Sequence, residues 1–166
     1  MFQNLCRLTL IILCSLTIAS CNRNISKGSS SGTSSNSDID MTGMETDILG
    51  YINEHRKAIG KNELKMVAAA STEAAKHSAA MASRRTGFGH GGFEIRVTNI
   101  TRQIGPVSAA AENVAYGKLT AQQVVDGWLK SPGHKKNIEG SYTLSGIGVA
   151  KDSKGVIFFT QIFLKK

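Results

Sequence analysis

Val156-Ile157-Phe158-Phe159-Thr160-Gln161-Ile162-Phe163 is the stretch on which the fold turns. It is a short run dense in β-branched and aromatic residues, which predicts a strand. Upstream, Ser145-Gly146-Ile147-Gly148-Val149-Ala150 reads the same way. Between them, Asp152-Ser153-Lys154-Gly155 has the chemistry of a hairpin turn, so the two strands are expected to pair antiparallel. Residues 110–115 are the candidate for a third strand.

Working outward, the period changes from strand to helix. Thr46 is placed to cap a helix whose apolar face is Ile48, Leu49, Ile52 and Ile59, with Gly60 stopping it. A long helix is expected over residues 66–84, where Val67, Ala70, Ala74, Ser78 and Met81 recur at steps of three and four. That stripe is narrow and made of small residues, which suits close approach of another element. Residues 93–103 hold a short helix. Thr120 followed by Gln123 is a capping-box pattern opening a helix that buries Ala121, Val124, Val125, Trp128 and Leu129, and Pro132 ends it. Helices before and between the strands of a small sheet give an α+β class: an α-β-α sandwich with a small antiparallel sheet between helices.

The first 44 residues read differently. Arg7 is the single charge of a short n-region, and an apolar run from Leu8 to Ile18 follows. That run is shorter than the roughly 20 residues needed to cross a bilayer, and it suits the h-region of a secretion signal. It ends in Ile18-Ala19-Ser20-Cys21, which resembles the bacterial lipobox, whose cysteine is acylated after cleavage. Residues 1–20 are therefore expected to be a lipoprotein signal peptide. Residues 21–44 are expected to be a tether anchored to the membrane through a lipid on Cys21. Its stretch Lys27-Gly28-Ser29-Ser30-Ser31-Gly32-Thr33-Ser34-Ser35-Asn36-Ser37 has no apolar side chain to offset the entropy of ordering. No cysteine follows Cys21, so the domain over residues 45–166 has no disulfide and depends on its core. The formal net charge of +8 carries no aromatic-interleaved basic motif, and nucleic acid is excluded as a partner.

Several segments in order resemble the CAP superfamily (cysteine-rich secretory, antigen 5 and pathogenesis-related-1 proteins) in its cysteine-free bacterial form. They are Asn53-Glu54-His55-Arg56, the Ala-rich helix with His77-Ser78-Ala79-Ala80-Met81-Ala82, Phe88-Gly89-His90, and Ala111-Glu112-Asn113-Val114-Ala115. Trp128-Leu129-Lys130-Ser131-Pro132-Gly133-His134-Lys135-Lys136-Asn137-Ile138 and the two C-terminal strands complete the set. The resemblance implies a sandwich with one open cleft. With the lipobox-like stretch ending at Cys21, the expectation is an extracytoplasmic, membrane-anchored bacterial lipoprotein, on the periplasmic face or the cell surface.

The same resemblance implies a cleft floor with two histidines and two glutamates able to hold a divalent ion. Carried over, His90 and His134 are the histidines and Glu112 the first glutamate; Ser131 stands where the second would be, so one ligand is missing. Spacing alone makes no metal motif of His90, Glu112 and His134, which lie 22 residues apart in each interval. Two readings stay open. Two imidazoles and a carboxylate suit zinc with an open position; alternatively Glu112 accepts a hydrogen bond from an imidazole and fixes its tautomer, with no metal. Asn113, Trp128 and Ser131 are expected to support the cleft: Asn113 by bonding backbone, Trp128 as core, and Pro132-Gly133 as a stop and turn holding His134 at the edge. His77 reads as a structural histidine, His55 as a solvated or capping position, and the Lys135-Lys136 pair as solvated. The function implied is binding of a small or lipid-like ligand in the cleft, with no cofactor required and a divalent ion, zinc above all, as an optional occupant. The alternatives are a metal-assisted, peptidase-like hydrolase and an envelope or adhesion module. Enzyme chemistry has less to stand on: the domain has no Gly-x-Ser-x-Gly elbow and no cysteine.

Overall fold

The structure is a computed structural model that describes residues 39–166. The expected signal sequence, Cys21 and most of the expected tether lie outside the described residues. Helix α1 spans Met44–Ala58, strand β1 Lys65–Met66, helix α2 Ala68–Ala82 and helix α3 Phe93–Ile104. Strand β2 (Ala109–Gly117), helix α4 (Ala121–Lys130), helix α5 (Pro132–Ile138), strand β3 (Leu144–Lys151) and strand β4 (Ile157–Lys165) complete the chain. The sheet order is β1-β3-β4-β2. Strand β4 pairs antiparallel with both β2 and β3, whereas the two-residue β1 pairs parallel with β3. The antiparallel core of the sheet is as expected from the sequence, and β1 is an addition to it.

Strand β4 is apolar on both faces because both faces are covered. Phe159 and Phe163 join Ile48, Ile52, Val124, Val125 and Trp128 in a core on the α1/α4 side. Ile162 and Leu164 join Ala70, Ala74 and Ile100 in a second core on the α2/α3 side. The small-residue stripe of α2 lies directly on β3. A Cβ at Gly146 would overlap Ala70 and Ser71, and one at Gly148 would overlap the backbone of Ala74 and Ala75, so glycine is required for this approach.

Several local expectations change. Helix α1 begins at Met44 rather than at a Thr46 cap, and Ile59 lies beyond its end, 43% exposed. The buried face continues instead through Arg56. Ile39 and Met41, within the stretch assigned to the tether, pack against the first core, and Met44 is buried in it. Helix α2 starts after Val67, because Lys65 and Met66 are drawn into the sheet. The Thr120–Gln123 capping box forms as expected. Pro132 ends one helix but also opens the next, occupying the first turn of α5, where its missing N–H costs nothing.

Candidate functional site

Strand β2 is an edge strand, so one rim of its backbone has no strand partner. Helix α5 covers that rim. Asn137 Nδ2 donates to the Glu112 carbonyl at 3.3 Å and to Asn113 Oδ1 at 2.9 Å, and Asn113 Nδ2 donates to the His134 carbonyl at 3.2 Å. Asn113 thus bonds backbone, as expected, and fixes where His134 sits. Ser131 links α4 to α5, its backbone N–H donating to the Trp128 carbonyl at 3.1 Å. The Trp128 ring is buried in the first core, with its centroid 6.5 Å from that of His134.

The Glu112 side chain is 2% exposed and its charge is met by Arg96 of α3. Arg96 Nε donates to Oε2 at 2.8 Å and Nη2 donates to Oε1 at 2.7 Å, a two-pronged pairing. His90 Nδ1 is 3.0 Å from the same Oε1, with its side chain half exposed at the cleft edge. The third arm of Arg96, Nη1, donates to the Gly91 carbonyl at 2.8 Å and to His77 Nδ1 at 3.2 Å. His77 Nε2 then donates to the Gly89 carbonyl at 2.7 Å. This assigns His77 a neutral ring with its proton on Nε2, and makes it the structural histidine expected. His55 is different: it is half-buried and 2.9 Å from Glu139 Oε1, so it is paired rather than solvated.

His90 and Glu112 therefore meet, while His134 is tied to them only through the Asn113–Asn137 amides and the charge of His90. Its pKa is depressed first by burial and then by that charge. Among the described residues no three His, Cys, Asp or Glu side chains are grouped so as to hold a metal ion. Both Glu112 oxygens are taken by a guanidinium, so the arrangement does not fit a divalent ion. Nor is Glu112 free to act as a base on a substrate. The buried Ser78 hydroxyl is likewise committed, donating to the Gly148 carbonyl and lying 2.8 Å from Thr160 Oγ1.

Arg96 is the residue that sequence reasoning passed over. Its signal is position: Phe93, Arg96, Ile100 and Ile104 form one stripe of α3 at steps of three and four, and a charge on a buried stripe needs a partner.

Burial is the largest cause lowering the His77 pKa, and Arg96 adds to it, against the raising effect of the Gly89 carbonyl and Glu112. With His134 lowered as well, the unfolded chain binds protons that the folded chain refuses once pH falls below about 6.5. Stability should therefore fall as pH drops from 7.5 to 5.5, before carboxylates such as Glu73 and Asp152, also lowered, begin to titrate. Urea midpoints at the two pH values check this. The drop should shrink in His77→Gln, and an identical drop would remove His77 from the account.

A small, mainly antiparallel sheet between helices, with a histidine held against Glu112 of its edge strand, is the sandwich of CAP domains. The profile of the CAP family (cysteine-rich secretory protein family) matches residues 49–163, and the chain belongs to that family. An outer surface protein from Borrelia burgdorferi superposes with a TM-score of 0.66 at 23% identity, covering 77% of this chain and 96% of that one. An extracellular SCP-domain protein from Bacillus anthracis gives 0.64 at 26% identity, over 75% of this chain and 41% of that one. The uncharacterized membrane protein YlbC of Bacillus subtilis is 43% identical over 58 residues, which span 34% of this chain and only 15% of YlbC. No helix among the described residues is long and apolar enough to cross a membrane.

Proposed function

We propose that this protein is a lipid-anchored extracytoplasmic CAP domain that binds an amphipathic small molecule, with an apolar body and an anionic head. The observation that carries this reading is a groove at the C-terminal end of α2. It has a volume of about 520 Å³ and is lined by Met81, Arg84, Arg85, Phe88, Tyr116 and Phe158. The Phe88 and Tyr116 rings meet edge-on with centroids 4.8 Å apart, and Tyr116 stacks on Phe158 at 5.8 Å. Yet Phe88 is 52% and Tyr116 58% exposed, so the cluster leaves apolar area in water that a ligand would cover, at roughly 25 cal/mol per Å².

Arg84 supports the anionic head. It follows the last turn of α2 with φ 58°, a position where glycine is usual. The Arg84 N–H bonds to the Met81 carbonyl and the Arg85 N–H to the Ala80 carbonyl, a Schellman closure that a glycine would make with less strain. Keeping arginine there holds two adjacent guanidiniums at the groove mouth. Arg84→Gly should hold or raise stability, by up to about 1 kcal/mol, while weakening binding of dodecyl phosphate. Tyr116→Ala should weaken it at least about tenfold. Titration calorimetry against dodecyl phosphate, with an uncharged dodecyl glycoside beside it, checks both effects. Failure of the wild type to bind the anion, or equal affinity in all three proteins, would remove this reading.

The anchor rests on Ile18-Ala19-Ser20-Cys21 and is in keeping with relatives described as an outer surface and an extracellular protein. Two or three acyl chains, at about 0.8 kcal/mol per buried CH₂, hold a protein on a membrane where one chain does not. Cys21→Ala should release the protein from the membrane fraction or trap its precursor. A processed variant that stays membrane-bound would contradict the anchor.

A further inference from the structure

We propose that Arg96 is a resident cation: its guanidinium supplies, at Glu112 and His77, the positive charge that a divalent ion would otherwise bring, making the site independent of metal supply. Five acceptors surround this one group. They are Glu112 Oε1 and Oε2, the Gly91 carbonyl, the unprotonated His77 Nδ1 and the His90 carbonyl, at 2.7, 2.8, 2.8, 3.2 and 3.5 Å. Carboxylate oxygens, carbonyls and an imidazole lone pair set around one cationic group are the donor chemistry of a cation site. The His77 tautomer makes the point sharper. Its proton is committed to the Gly89 carbonyl, so the lone pair offered to Arg96 is the one that would ligate a metal.

Arg96 is itself only 7% exposed and comes from a helix whose other inward residue, Ile100, is fully buried. The guanidinium is therefore fixed by packing of α3. A buried carboxylate without a cation would be strongly unfavourable. Here the compensating charge is covalently part of the chain, and no ion has to be captured to keep Glu112 in place. This inference stands apart from the aromatic groove and does not require it.

Deleting the guanidinium should then open the site to a real ion. Metal-free wild type, Arg96→Lys, Arg96→Ala and the double variant Arg96→Ala/Glu112→Gln would be titrated with zinc at pH 7.5 by calorimetry. The wild type and Arg96→Lys should show no zinc binding that depends on Glu112. Arg96→Ala should gain binding at least about tenfold tighter than the wild type, and the double variant should lose it. If Arg96→Ala is unfolded alone, zinc should restore its circular dichroism, a rescue absent in the double variant. Zinc binding by the wild type that weakens tenfold or more in Glu112→Gln would overturn the proposal. So would an Arg96→Ala variant that neither gains zinc nor is rescued by it.

Discussion

Arg56→Ala should destabilise the protein by roughly 4 kcal/mol or more, a large share of the 5–15 kcal/mol that holds a domain of this size folded. Arg56 lies on the buried stripe of α1, one turn beyond Ile52, and is 2% exposed. Its Nε donates to the Asn62 carbonyl at 2.8 Å, Nη1 to the Ile138 and Gly140 carbonyls at 2.6 and 2.9 Å, and Nη2 to the Tyr142 carbonyl at 3.1 Å. Two of these acceptors belong to the end of α5 and the residues just after it, where helix carbonyls lack internal partners and favour a cation. Alanine leaves all four carbonyls short of a donor in a site with little room for water, at about 1–3 kcal/mol for each that stays unsatisfied. The effect should appear in urea unfolding followed by circular dichroism. Arg56→Lys, which keeps the charge but not the fork, should recover only part of it. A loss under about 1 kcal/mol in Arg56→Ala would mean that water replaces the guanidinium and that α5 is held by other contacts.

Trp128→Ala should cost on the order of 3–5 kcal/mol, the range for deleting a large buried aromatic ring. Trp128 is 2% exposed and sits where α4 meets the sheet, among Ile48, Ile52, Phe159 and Phe163. Its indole N–H reaches the Val114 carbonyl at 3.5 Å, too long for a strong bond, so packing carries most of its contribution. The domain has no disulfide to limit the loss, since no cysteine follows Cys21. Urea midpoints should therefore be the same with and without reductant in the wild type, and fall sharply in the variant. A loss under about 1 kcal/mol would place the ring on a ligand surface instead of in the core.

Local patterns foretold the elements whose own residues dictate them. The β-branched and aromatic run of β4, the Asp152–Gly155 turn, the Thr120–Gln123 box and the alanine stripe of α2 each specify structure within a few residues. What depended on distant partners was hidden. Met66 looks like the start of a helix until β3 lies beside it and Lys65 to pair with. Pro132 reads as a stop, and that it also opens α5 emerges only with the partners of that short helix, such as the Asn113–Asn137 contact across to β2. Ile59 fits the α1 stripe by hydropathy, but the chain turns at Gly60 before that face is covered.

The site divides in the same way. His90, Glu112, His134 and Asn113 were legible through motifs, and the structure brings His90 onto Glu112 and fixes His134 through Asn113. Arg96 was not singled out, and Arg56 was noted only as part of a motif, because a cation on a buried stripe reveals its role only when its acceptors are known. Both could be suspected from the stripes themselves: Arg56 follows Ile52 by one helical turn, and Arg96 lies between Phe93 and Ile100. Phe88, Tyr116 and Phe158 belong to separate segments, and only the β2–β4 register, which sets Tyr116 opposite Phe158, draws the rings together.

The central claim, that the aromatic groove is the ligand site, is tested most directly by mapping amide shifts in ¹⁵N-labelled protein titrated with dodecyl phosphate. The largest saturable changes should fall on Met81, Arg84, Arg85, Phe88, Tyr116 and Phe158, with Ile48, Val125 and Trp128 on the opposite face unmoved. Changes centred on that opposite face, or shifts that never saturate, would contradict it.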